Sequence, residues 1–139
     1  MIHSTTSFDH EYPLIILEHY LDSFGHVNNA AYLEIFEEAR WDWITKNGFG
    51  LSQIHERGIG PVVLEAHLRF QREVTNREKI IIRSHCLEYR GKIARMEQVM
   101  VREDGKAACT AEFVFGLFDL KARKLIDPTP EWLKAIGMP

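Results

Sequence analysis

The chain has 139 residues, the length of one domain spanning 1–139, enough to bury a core without disulfide or metal staples. Apolar residues make up 45% and charged residues 27%, which excludes a disordered chain. Seventeen basic against twenty acidic side chains leave a net charge of −3 with no basic block, so nucleic acid and anionic membrane surfaces are not expected partners. No apolar run approaches the roughly 20 residues of a membrane-spanning helix. Residues Met1 to Asp9 lack the basic start and apolar block of a secretory leader, and a cytoplasmic protein is expected. Cys86 and Cys109 share no metal-ligand spacing and read as reduced, packed thiols; no metal site is expected.

In chain order, Tyr12 to Tyr20 reads as a first strand, its nearly continuous apolar run suggesting burial on both faces. The turn formers of Asp22 to Asn29 interrupt it. From Asn29 to about Asn47 the pattern is helical: Tyr32, Phe36, Ala39 and Trp43 recur at intervals of three and four, with Glu34, Glu38 and Asp42 on the opposite side. Asn28 or Asn29 can cap the start, and Gly48 follows the end. Trp41 lies towards the polar side, as a residue facing another layer or a partner would. Leu51 to Arg57 forms a short helical turn.

The strongest period follows. Val62, Leu64, Ala66, Leu68 and Phe70 alternate with Val63, Glu65, His67, Arg69 and Gln71, a strand with one apolar face. Lys79 to Tyr89 is a third strand, Arg90-Gly91 a tight turn and Lys92 to Arg102 a fourth strand. Asp104-Gly105 is a hairpin signal before a fifth strand, Lys106 to Asp119. Thr129-Pro130 opens a final short helix. Tight turns imply antiparallel pairing, and one amphipathic helix must cover the resulting sheet, so the fold class is α+β.

Chemistry concentrates in Asp22-Ser-Phe-Gly-His-Val-Asn-Asn29. The first turn of the following helix offers unpaired N–H groups that can receive an oxyanion. Asp22 precedes it closely enough to act as a general base on water or as a carboxylate nucleophile. Gly25 permits the bend. The alternative is a capping turn in which Asp22 and Asn28 only satisfy loop amides, with His26 a structural hydrogen-bonding group.

This string, followed by Ala31-Tyr-Leu-Glu-Ile-Phe-Glu-Glu-Ala-Arg-Trp41, resembles the hot-dog-fold acyl-CoA thioesterases of the 4-hydroxybenzoyl-CoA thioesterase type, in particular the bacterial long-chain acyl-CoA thioesterases. The resemblance runs from Tyr12 to Trp132 and takes in the strand Pro61 to Phe70 and the Arg90-Gly91-Lys92 turn. It implies a long central helix wrapped by a five-stranded antiparallel sheet. It places Asp22 on the catalytic carboxylate and the N–H near Asn29 on the oxyanion donor. His26 and Asn28 match a pattern shared with acyl-ACP thioesterases, but Phe24 stands where those enzymes have Asn. The subgroup with a catalytic Glu on the long helix opens with His-Gly-Gly, which is absent here; Glu34, Glu37 and Glu38 are read as a solvated or interface face.

The resemblance further implies a homodimer or homotetramer with sites at the dimer interface, paired across Gly60 to Ala66. Arg90, Gly91 and Lys92 would meet the pantetheine or phosphates of CoA, with Arg69, Arg72 and Arg95 as further candidates. Tyr32 and Val62 would contact substrate, and Ile35, Phe36, Phe49 or Leu64 could line an acyl slot or belong to plain core. The expected activity is hydrolysis of an acyl-CoA, of medium or long chain, to acid and CoA. No cofactor is expected, CoA being part of the substrate. An acyl-ACP thioesterase, a hot-dog dehydratase or hydratase and a non-catalytic acyl-CoA-binding module are the competing readings.

Overall fold

The computed structural model describes residues 8–139; the leader-free reading of the first residues falls mostly on 1–7, outside the described residues. The elements are β1 (His10–Ile15), α1 (Asn29–Lys46), α2 (Leu51–Arg57), β2 (Ile59–Phe70), β3 (Lys79–Arg90), β4 (Ile93–Val101), β5 (Ala107–Asp119), β6 (Lys124–Ile126) and α3 (Pro130–Ala135), with a 3₁₀ turn at Glu18–Tyr20. All strand pairs are antiparallel, in the order β1-β3-β4-β5-β2, with β6 on β5. The α+β class and the long helix on an antiparallel sheet are as expected from sequence. The sheet has six strands rather than five.

Three elements differ from expectation for local reasons. The first strand ends at Ile15, and its last expected residues form the 3₁₀ turn. Nor is it buried on both faces: β1 pairs only with β3 at one margin of the sheet, and its residues alternate between half-buried and exposed. The added strand, β6, follows a turn in which Asp119 Oδ1 accepts from the N–H groups of Lys121 and Ala122, and Arg123 takes a φ of 59°. Finally, the register of β2 shifts at Leu64, where Val63 opposes Phe115 but Glu65 opposes Val114. A bulge adds one residue and reverses the faces. Ala66, Leu68 and Phe70 keep the apolar face, but ahead of the bulge Pro61 and Val63 share it, not Val62 and Leu64.

The helix α1 forms as its 3.6-residue period dictates. Asn28 Oδ1 accepts from Ala30 N at 3.0 Å and caps it. Tyr32, Ile35, Phe36, Ala39 and Trp43 are buried against the sheet. Near its start they meet Ile80, Ile82, Met100 and Phe113; near its end Trp43 and Ile44 join Phe49, Phe115, Leu117 and Trp132. Each large side chain so buried contributes about 1.5–3 kcal/mol. Phe49 stacks edge-on to Trp132 with centroids 5.1 Å apart, which seats α3 over the far end of the sheet. Ile35, Phe36 and Phe49, held open as possible acyl contacts, are fully buried core.

Candidate functional site

Tyr20 to Asn28 forms a small hairpin. Asn28 N donates to Tyr20 O, Leu21 bridges Val27, and Asp22 N donates to His26 O at 2.8 Å. Gly25 closes the turn at a φ of +81°, a region a side chain would resist. Asp22 Oδ1 accepts from Phe24 N at 2.9 Å and from His26 N at 3.2 Å. Asp22 therefore does hold loop amides, the capping role considered from sequence, but with one oxygen only. Its Oδ2 takes no hydrogen bond from a described residue, and the side chain is half-exposed.

The other arm of the hairpin runs into α1. Asn28 is the diagonal neighbour of Asp22, at roughly 7–8 Å in such a ladder. Asn29 begins the helix, and its N–H donates to no described group, leaving a donor at the positive end of the helix. Tyr32 lies one turn further, edge-on to Phe70 at 5.1 Å. Burial first, then the neighbouring Cys109 and Asp22, push its hydroxyl up to about 12, so it is a neutral donor at ordinary pH. His26 Nε2 sits 3.0 Å from Glu73 Oε2, a partner the sequence did not suggest, because it follows β2 and reaches the hairpin through the His26–Thr75 bridge and the bond from Val27 N to Val74 O.

A cleft of about 290 Å³ opens along the C-terminal half of α1, between Glu37–Ile44 and Pro61–Val63, with Phe113 and Phe115 on its floor. Val62 lines it, whereas Leu64 is exposed. Glu37 and Trp41, read as a solvated or partner-facing side, form its rim. Glu38, assigned to the same acidic face, instead accepts from the hydroxyls of Tyr12 and Tyr20. Arg40 was not singled out from sequence. Its signal was a charge at the apolar spacing Tyr32, Phe36, Arg40, Ile44. In one chain, the cleft lies about 12–22 Å along the helix from Asn29.

Arg90, Gly91 and Lys92 form the β3–β4 turn. Gly91 has a φ of +60°, and Lys92 O packs where a Cβ on Gly116 would come within 2.6 Å. This turn adjoins the Val62 end of β2, whereas the Asp22 hairpin is stitched to Val74 and Thr75 at the other end. Along β3 the two ends are about 36 Å apart. One chain therefore groups Asp22, His26, Asn28, Asn29 and Tyr32, but not with Val62 or with Arg90–Lys92. Of the other basic candidates, Arg95 is engaged by Glu88 and Glu112, while Arg72 donates to Ala107 O. Among the described residues no cluster could hold a metal ion, and no helix is long and apolar enough to cross a membrane.

The chain matches the Thioesterase-like superfamily over residues 17–136. It is 32% identical over 109 residues to the long-chain acyl-CoA thioesterase FadM of Escherichia coli, covering 78% of this chain and 82% of that protein. Among solved structures, YbaW of Escherichia coli superposes with a TM-score of 0.80 at 28% identity, over 93% of this chain and 97% of that one. SAV2348 of Staphylococcus aureus, solved in complex with CoA, shares the fold with a TM-score of 0.86 at 16% identity, over 96% of this chain and 85% of that one. The chain belongs to the thioesterase-like superfamily, with its hot-dog fold, and is a thioester hydrolase.

Proposed function

We propose that the protein hydrolyses the thioester of a medium- or long-chain fatty acyl-CoA to the free acid and CoA, with Asp22 as its catalytic carboxylate. The observation that carries this is the division of labour at Asp22: Oδ1 is tied down by two amides, and Oδ2 is free beside a helix start. A water held between Oδ2 and the substrate carbonyl attacks that carbon as its proton passes to Oδ2. The negative oxygen is received by the Asn29 N–H. Collapse breaks the C–S bond, and the proton returns from Asp22 to the CoA thiolate. Direct attack by Oδ2 to give an anhydride, with loss of the CoA thiolate, is the other route the same geometry permits. In a single turnover in labelled water, label in Asp22 identifies that route with water opening the anhydride at the Asp22 carbonyl, and trapping of the anhydride by hydroxylamine identifies it where water attacks the acyl carbon instead. His26 and Asn28 hold the loop and the helix start, and Tyr32 flanks the reacting group. The reaction so written calls on no cofactor.

The acyl chain-length preference is supported by the relationship to FadM and by the apolar cleft. The active unit is a homodimer, or a homotetramer built from it. The outer edge of β2 has no partner strand among the described residues, and Val63, Leu64 and Phe70 are 44%, 45% and 54% exposed there. Such an edge is a ready template for a second copy. A twofold axis through the middle of β2 exchanges its ends. It carries one protomer's Val62 and Arg90–Lys92 turn towards the other's Asp22 hairpin. Arg90 and Lys92 then meet the CoA phosphates.

Thiol release from short, long and aromatic acyl-CoAs and from acyl-ACP, with sedimentation in parallel, tests this reading. Turnover of long-chain acyl-CoA by a dimer or tetramer is expected. A fully active monomer refutes the assembly, preference for acyl-ACP refutes the carrier, and binding without turnover refutes catalysis.

A further inference from the structure

The cleft beside α1 has apolar and aromatic walls except for two charged side chains, Glu37 and Arg40. Arg40 is held from below. Its Nη1 donates to Gln98 Oε1 at 3.0 Å, and its guanidinium carbon lies 4.4 Å from the centroid of the Phe113 ring. Gln98 is fully buried and cannot be turned the other way: its Nε2 donates to Phe36 O at 3.1 Å and to the buried Ser84 Oγ at 2.9 Å, leaving only the oxygen for Arg40. A buried hydroxyl and amide thus aim a cation into an apolar cleft, and no carboxylate forms an ion pair with it among the described residues. Burial lowers its proton affinity, towards a pKa of about 10, and the charge of Glu37 offsets this only in part.

Such an arrangement is costly as packing alone. An aliphatic side chain would fill the same volume without desolvating a charge. The guanidinium has five N–H donors and spends one on Gln98; Arg40 lines the cleft, and no other described group accepts from it. Glu37, three residues earlier on the same helix face, offers only acceptors. Side chains so spaced stand about 5–6 Å apart at Cβ, room for one small polar group between them. A plain hydrocarbon leaves donor and acceptor unpaired. A carboxylate satisfies Arg40 but meets the charge of Glu37. A hydroxyl accepts from one and donates to the other.

We propose that the cleft selects acyl groups bearing a hydroxyl, which Arg40 and Glu37 bind together, so that the preferred substrates are hydroxyacyl thioesters. The inference rests on the acyl-CoA reading above and narrows its substrate. Arg40 and Glu37 are specificity determinants; neither takes part in the bond-breaking step.

The test compares kcat/KM for unsubstituted, α-, β- and ω-hydroxy and ω-carboxy acyl-CoAs of equal carbon number, in wild type, Arg40→Met and Glu37→Gln. In the wild type the best hydroxyacyl-CoA should exceed its parent by about tenfold to a hundredfold, the range of a hydrogen bond to a charged group. Arg40→Met should bring that ratio to about one. Glu37→Gln, exposed and harmless to the core, should keep the hydroxyl preference and raise turnover of the ω-carboxy substrate. A wild-type ratio of about one at every hydroxyl position overturns the inference, as does a preference that survives in Arg40→Met or a best substrate bearing carboxylate. If no acyl-CoA is hydrolysed, the acyl-CoA reading itself falls. Calorimetric binding of the free hydroxy acid against its parent acid then decides the cleft: equal affinities overturn it, and tighter binding lost in Arg40→Met supports it.

Discussion

Replacing Asp22 by Asn separates chemistry from stability, because the two oxygens of Asp22 have different duties. Asn keeps an acceptor at Oδ1, so the bonds from Phe24 N at 2.9 Å and His26 N at 3.2 Å can persist. Each changes from a charged to a neutral acceptor, a loss of about 1 kcal/mol per bond when buried and less on this half-exposed loop. The net cost is about 1 kcal/mol, a fall in melting temperature of roughly 3–5 °C at this chain length. The free carboxylate oxygen, by contrast, becomes an amide nitrogen that cannot take a proton from water. Loss of a general base slows the reaction by about 10²–10⁴, or roughly 3–5 kcal/mol of barrier. The barrier effect thus exceeds the stability effect several-fold. Asp22→Ala is the complement: it loses both loop bonds too, about 1–3 kcal/mol, and so loses activity and stability together. The assay is thiol release on a long-chain acyl-CoA with melting curves on the same preparations and a protein-only blank. A folded Asp22→Asn enzyme within tenfold of the wild-type rate would sink the assignment of Asp22.

Trp132→Ala should cost about 3–5 kcal/mol in denaturant unfolding, because the ring is 1% exposed and packs edge-on against both Phe49 and Phe115. At Asp42 burial opposes ionisation, but Lys46 and His10 outweigh it and hold the carboxyl below its ordinary range. A carboxyl held low stabilises the fold above the ordinary value near 4 and loses that contribution as pH falls through its lower folded value. Asp42→Asn should therefore melt below wild type at neutral pH, with the gap closing as pH falls below about 4; a constant gap would show that the pairing is not its source. Burial pushes the thiols of Cys86 and Cys109 up to about 12, so both stay protonated and should react slowly with a thiol reagent until denaturant is added. Rapid labelling of the folded protein would contradict that packing.

Much of the molecule was legible because its signals are local. The period of α1 with its Asn28 cap, the Arg90-Gly91 and Asp104-Gly105 turns, and the Thr129-Pro130 start of α3 each depend on neighbours within a few residues. Misreadings arose where distant partners decide. Ile16 to Tyr20 has strand composition but leaves the sheet because β3 begins at Lys79, opposite Ile15. Lys124–Ile126 is too short to read as a strand until β5 offers it an edge. The alternation of β2 looked unbroken because a bulge at Leu64 is defined by its partner's register, not by its own residues.

From its local pattern the sequence by itself determined the α+β class, the placement of Asp22 before a helix start, and, through the motif running to Trp41, the family resemblance. These survive because turns, caps and periods are set by steric and hydrogen-bonding preferences of adjacent residues. The tertiary structure was needed to show that Asp22 has one engaged oxygen and one without a partner among the described residues, that His26 finds Glu73, and that the Asp22 hairpin and the Arg90–Lys92 turn lie at opposite ends of a chain whose outer β2 edge no described strand covers. It alone joined Ser84, Gln98 and Arg40, which are 14 and 58 residues apart in successive links, beneath an apolar cleft. Hydrogen bonds across such separations depend on strand register and helix docking, and those are settled by burial of the whole core rather than by any short stretch of chain.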